Sequence, residues 1–119
     1  MDLVELDRVA DALARWGERL VNRLMDPAES ARLPGPAAER ARSLALAIAG
    51  KEAASKAIGT GWSRGVRWRD VVVEPGPPVS ITLFARAIEV ARSLGSSGRT
   101  WAELEVREGL VLAQVRLLS

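Results

Sequence analysis

The sequence predicts an α+β fold in which one long helix packs against a small antiparallel sheet, within a single domain covering residues 1–119. Three observations point there. Residues 37–58 are rich in Ala, Leu and Ile and stop at Gly59, a residue suited to a left-handed helix end. Residues 66–74 and 79–83 favour extended backbone, with Trp68, Val71, Val72 and Val73 in the first stretch and Pro75-Gly76-Pro77-Pro78 between the two. Residues 101–107 alternate apolar with polar side chains and meet a second apolar stretch, 110–118, across Glu108-Gly109.

Taken in order, the first helix is expected over residues 4–25. Val9, Leu13, Trp16, Leu20 and Leu24 recur at steps of three and four and form one apolar stripe. Arg8, Arg15, Arg19 and Arg23 repeat with the same period beside it. That strip suits an acidic partner helix, and equally a solvated edge whose stems cover the core. At Asp26-Pro27-Ala28-Glu29 a second, short helix begins: Asp is a good N-cap, Pro fits the first helical position, and Glu follows three residues after the cap. Leu33-Pro34-Gly35-Pro36 ends it, and the long helix follows. Residues 60–65 form a loop before the first two strands. Residues 84–94 make a last helix with Ala85, Ile88, Ala91 and Leu94 inward and Gly95 as its stop. After the flexible Gly95-Ser96-Ser97-Gly98 come the final two strands. No internal repeat or low-complexity segment is present.

Composition removes several chemistries. The chain has no cysteine, so disulfides, thiolate catalysis and cysteine metal sites are excluded. It has no histidine, the commonest general base and transition-metal ligand. Any metal site must therefore use oxygen ligands, which favours Mg²⁺, Mn²⁺ or Ca²⁺. The formal charge of +2 is too small to argue for a nucleic-acid partner. No apolar run approaches a membrane span and no signal peptide precedes the first charged residues, so a cytoplasmic protein without membrane contact is expected.

Fifteen of the 17 basic residues are arginine, and both lysines fall in Gly50-Lys51-Glu52-Ala53-Ala54-Ser55-Lys56-Ala57-Ile58-Gly59-Thr60-Gly61. A lysine ammonium is a compact point charge with rotatable donors, suited to phosphate at varied angles. On a helix, Glu52 and Lys56 share a face, and Lys51 lies about 100° around from Glu52. A carboxylate able to hold a divalent cation thus stands between two ammonium groups able to hold phosphate oxygens. An ordinary surface Glu–Lys helix pair gives the same spacing.

With their surroundings, these residues resemble the small holo-acyl-carrier-protein synthases, the short type of 4'-phosphopantetheinyl transferase. The resemblance runs along nearly the whole chain. It begins at Asp2-Leu3-Val4-Glu5-Leu6-Asp7-Arg8-Val9 and continues through Met25-Asp26-Pro27-Ala28-Glu29. It is sharpest at Lys51-Glu52-Ala53-Ala54-Ser55-Lys56-Ala57 with Gly59-Thr60-Gly61, and extends to Val66-Arg67-Trp68-Arg69-Asp70-Val71, Leu83-Phe84-Ala85-Arg86-Ala87 and Val111-Leu112-Ala113-Gln114-Val115. The resemblance implies transfer of 4'-phosphopantetheine from coenzyme A to an acyl-carrier-protein serine, in fatty acid or polyketide biosynthesis. It further implies Asp2 and Glu52 as Mg²⁺ ligands, Lys51, Ser55, Lys56 and Gly59 along the coenzyme A phosphates, and Glu52 and Lys56 in catalysis. Arg8 and Arg15 would dock the acidic carrier protein, and the enzyme would be a homotrimer with its sites shared between subunits.

The chain departs from the family in three places. Where the family carries a His-x-Ser-x-Ser-His segment, the aligned positions are Trp101, Glu103, Glu105 and Val106. Alternation puts Trp101, Glu103, Glu105 and Arg107 on one face, expected to look toward the coenzyme pocket, and Ala102, Leu104 and Val106 on the other. Ala47-Ile48-Ala49-Gly50 replaces a stretch in which the family has an Arg-Phe pair, and only Met1 precedes Asp2, where the family has a short strand. Two further readings therefore stand beside the transferase. One is a diverged relative that has lost coenzyme A transfer and acts on a carrier-bound substrate through Glu103 and Glu105. The other is a non-catalytic trimeric binding protein.

Overall fold

The computed structural model describes residues 1–119. It orders them as β1 (Asp2–Glu5), α1 (Leu6–Trp16), α2 (Glu18–Leu24), α3 (Pro27–Ser30), α4 (Ala37–Ala57), β2 (Val71–Glu74), β3 (Ser80–Leu83), α5 (Ala85–Ser93), β4 (Thr100–Arg107) and β5 (Leu110–Leu117). A 3-10 turn, Trp68–Asp70, leads into β2. The architecture is α+β with α4 as the central helix, as the sequence predicts, but the strands divide into two small antiparallel sheets where one was expected.

Helix α4 takes the centre because it offers almost no polar stripe to water. Ala41, Leu44, Ala45, Ala47, Ala49, Ala53 and Ala54 are all buried along it, the pattern of a helix enclosed on most sides. It packs against α1, β1, β2 and β5. Small residues let the neighbours come close, and nowhere closer than at Gly50. A Cβ there would lie 2.9 Å from Val73 Cγ2 and 3.3 Å from Ile81 Cδ1, so the β2–β3 pair rests almost on the helix backbone.

The larger sheet has the order β1-β5-β4 and the smaller pairs β2 with β3. Ala113 of β5 stands opposite Asp2 on one side and Leu104 on the other, and Val111 stands opposite Val4 and Val106. These residues form the inner face, with Val111 and Ala113 fully buried. Glu108 and Gly109 close the β4–β5 hairpin at φ 50° and 78°, the paired left-handed geometry that matches strand twist in a two-residue turn.

Four expectations about elements change. Residues 2–5 form a strand and not the start of the first helix, because Val4 packs opposite Val111 and the backbone pairs with β5; the helix begins at Leu6. The first helix is also two helices. Gly17, at φ 55° and ψ −134°, breaks it and turns Trp16 outward to 49% exposure, so Trp16 leaves the apolar stripe and Val21 joins it. Arg15 and Arg19 place their guanidinium carbons 5.3 and 5.9 Å from the Trp16 ring centre. The first half of the expected strand 66–74 is a turn instead. Buried Asp70 accepts from the Arg67 N–H at 2.9 Å and from its guanidinium at 3.3 Å, and extended backbone starts only at Val71. In α5, Ala87, Val90 and Ala91 are the buried residues, while Ala85 and Leu94 lie outside. No helix is long and apolar enough to cross a membrane.

Candidate functional site

The phase of α4 divides the lysine motif into two halves with opposite surroundings. Lys51 and Ser55, four residues apart, share the inward face, while Lys56 is exposed and Glu52 half-buried on the next face around. The periodicity that predicts the helix also separates the two lysines.

The outward half meets Asp2. The register of β1 puts Asp2 on the same sheet face as Ala113 and Leu104, the face that packs on α4. Asp2 Oδ1 accepts from Lys56 Nζ at 2.8 Å, while Asp2 Oδ2 is buried with no hydrogen-bond partner. The bond to Asp2, then its charge, raise the Lys56 ammonium above its ordinary value, and the charge of Glu52 adds to the effect. The structure therefore brings Asp2, Glu52 and Lys56 together from opposite regions of the chain. Asp2 is also held in place by its neighbours, since its strand is paired along β5. No cluster of three or more Asp, Glu, His or Cys forms anywhere. Two carboxylates plus substrate phosphate oxygens are, however, a usual way to hold Mg²⁺. The orphaned Asp2 Oδ2 is the atom that lacks a positive partner, and the site fits the ion.

The inward half corrects the sequence expectation. Lys51 is fully buried and its ammonium donates to Glu29 Oε1 at 2.8 Å, to the Trp68 carbonyl at 3.1 Å and to the Val71 carbonyl. All three protons are used inside the protein, so a phosphate arriving from solvent does not meet Lys51. Burial lowers its pKa from the usual 10.5, against the opposing pull of the Glu29 charge. Ser55 is likewise buried and donates to the Glu52 carbonyl at 2.7 Å. Its own carbonyl accepts from the Thr60 and Gly61 N–H groups, which wraps the chain around the end of α4. Gly59 sits at that end with φ 80° and open space beside it, so its role is to make the left-handed turn.

Glu103 and Glu105 are also placed differently from expectation. They face outward with Gln114 and Leu112, on the opposite side of the sheet from Asp2 and Ala113, and Glu105 pairs with Arg107. The predicted alternation holds, but within the chain this face looks away from Lys56. Arg8 and Arg15 are exposed on α1, as docking residues must be, and neither forms an ion pair within the chain. The residue that sequence reasoning missed is Glu29. It reads as the third-position Glu of a capping box, and its N–H does bond Asp26 Oδ1 at 2.8 Å. Its carboxylate turns inward instead, bridging Lys51 and the Val73 N–H, the latter at 3.0 Å. No local pattern marks that choice, because both partners come from distant segments.

The sequence profile of the 4'-phosphopantetheinyl transferase superfamily matches residues 1–113. A holo-[acyl-carrier-protein] synthase of Acidithiobacillus ferrooxidans is 40% identical over 118 residues, which cover 98% of this chain and 92% of that protein. The enzyme of the same name from Rhizobium meliloti is 39% identical over 117 residues, covering 95% and 83%. Among solved structures, the Helicobacter pylori holo-[acyl-carrier-protein] synthase in complex with coenzyme A superposes with a TM-score of 0.76 at 21% identity, covering 98% of this chain and 96% of that one. The holo-ACP-synthase of Plasmodium yoelii gives 0.80 at 18% identity, covering 99% and 91%. These structures share the fold. The profile match and the 40% identity together establish that the chain belongs to the 4'-phosphopantetheinyl transferase superfamily.

Proposed function

We propose that this chain is a holo-acyl-carrier-protein synthase that moves 4'-phosphopantetheine from coenzyme A to a carrier-protein serine. The observation that carries this reading is the convergence of Asp2, Glu52 and Lys56 at one place on the surface of a chain from this family. In the reaction, the serine oxygen bonds to the phosphorus that bears pantetheine, the diphosphate bridge breaks, 3',5'-ADP leaves and the serine proton is lost. Such a transfer depends on positioning and charge neutralisation more than on a covalent catalyst. Asp2 and Glu52 would hold Mg²⁺, which supplies positive charge to the diphosphate oxygens. Lys56, with a long and largely exposed stem, brings a mobile ammonium to the same phosphates. Arg8 and Arg15 stand clear on α1 to receive an acidic carrier protein, with Trp16 and Arg19 extending that surface.

The outer face of the larger sheet bears exposed Leu3, Trp101 and Leu110. These exposed apolar side chains, interleaved with Glu103, Glu105, Arg107 and Arg116, support a homotrimer closed through a mixed apolar and charged face of these sheets, in which Glu103 and Glu105 would be interface residues. A cytoplasmic setting agrees with coenzyme A and acyl carrier protein as substrates. The deciding experiment is intact-protein mass spectrometry of an apo carrier protein incubated with this chain, coenzyme A and Mg²⁺. Addition of one phosphopantetheine, abolished by Asp2→Asn, is expected; no addition to any of several carrier proteins would refute the assignment. Multi-angle light scattering tests the trimer separately.

A further inference from the structure

Asp2 and Lys56 do not simply lie side by side in the site; each is the other's counter-ion. The Asp2 carboxylate is only 14% exposed, with Oδ1 on the Lys56 ammonium at 2.8 Å and Oδ2 buried and unpartnered. Lys56 reaches it from a side chain 61% exposed, so the ammonium is free to swing away at little steric cost. The two oxygens of one carboxylate are so close that a divalent cation on Oδ2 would stand against the ammonium on Oδ1, and like charges at that range repel. We infer that Lys56 is a displaceable placeholder on Asp2: a divalent cation drives the ammonium off, and the released ammonium then takes a phosphate. The inference rests on the reading of Asp2 and Glu52 as metal ligands. Glu52, the other acid whose charge acts on Lys56, is on the same reading a ligand of the cation and so is not free to replace Asp2 as its partner. One side chain thereby couples the arrival of the metal to the readiness for phosphate.

The probe is Mn²⁺ alone, followed by electron paramagnetic resonance of the free ion, with no coenzyme A and no turnover. Lys56→Met keeps the length of the stem and removes the competing cation, and should bind Mn²⁺ about three-fold tighter, the scale of an exposed ion pair. Asp2→Asn should lose that binding. A second readout is the nitrogen–proton correlation spectrum of the lysine ammonium groups, which this chain makes simple because it has only Lys51 and Lys56. The Lys56 signal should shift or vanish on adding Mg²⁺ alone, while the buried Lys51 signal stays as an internal reference. If Mn²⁺ binds neither the wild type nor Lys56→Met, with or without coenzyme A, the metal reading itself fails. If Mn²⁺ binds through Asp2 but Lys56→Met binds it no tighter, or the Lys56 signal ignores saturating Mg²⁺, the placeholder alone is overturned.

Discussion

Replacing Lys51 with methionine separates a structural lysine from a phosphate-binding one. Methionine fills nearly the same volume, so the change removes charge and hydrogen bonds with little loss of packing. It leaves Glu29, 3% exposed, with one oxygen unpaired, and strips donors from the Trp68 and Val71 carbonyls. Breaking a buried ion pair from one side costs about 3–5 kcal/mol, because the remaining charge is uncompensated. Relief of the burial that depresses Lys51 offsets part of this, so the net loss should fall at about 3 kcal/mol. With a urea m-value of about 1.5 kcal/mol/M, the midpoint of unfolding should drop by about 2 M. Adding Glu29→Gln should recover part of the loss, since the stranded charge is then gone. The same samples, folded and without urea, are titrated with coenzyme A by calorimetry, where affinity should stay within about two-fold of wild type. An unchanged midpoint with a ten-fold loss of coenzyme A affinity would refute the reasoning and return Lys51 to the phosphates.

Gly50→Ala should cost about 1–3 kcal/mol in the same denaturation assay, since its Cβ would press 2.9 Å from Val73 Cγ2. Lys56→Ala should lower kcat for phosphopantetheine transfer by about 10²-fold, the usual scale for one charge-stabilising contact, and lower stability only by the small amount an exposed ion pair supplies. Arg15→Glu, alone or with Arg8→Glu, should raise KM for the carrier protein and steepen with falling salt, while the affinity for coenzyme A is unaltered. Because Asp2 raises the Lys56 pKa, the stabilisation from this pair is fully present below 10.5 and is lost as pH climbs through the raised value. The stability gap between wild type and Lys56→Met should therefore be flat through neutral pH and close only above pH 10.5.

The fold was legible where a single period dominates. The run 37–58 declares a helix by composition, and the alternation of Trp101, Glu103, Glu105 and Arg107 against Ala102, Leu104 and Val106 declares a half-buried strand. Misreadings arose where a distant partner overrides local pattern. Residues 2–5 lie ahead of the helical period that runs from Val9, and pairing with β5 draws them into a strand. Gly17 sits inside that same period, and one left-handed residue there suffices to split the helix. The site was half legible for a related reason. Spacing shows that Glu52 and Lys56 share a face but not which face is wet, so Lys51 and Lys56 look alike until β2 and Glu29 are in place. Alternation likewise shows that Glu103 and Glu105 point the same way. It does not say which side of the sheet holds Asp2.

The pairing of Asp2 with Ala113 joins the two ends of the chain. During synthesis, the first strand waits without a partner until β5 has been made, and closing so long a loop comes late because its entropy cost precedes its contacts. The helices can gather around α4 before then, but the carboxylate that faces Lys56 has no fixed position. The contact between Asp2 and Lys56 thus waits for nearly the whole chain. A chain cut short before β5 would keep its lysine motif intact and lose the strand that holds Asp2 against Lys56.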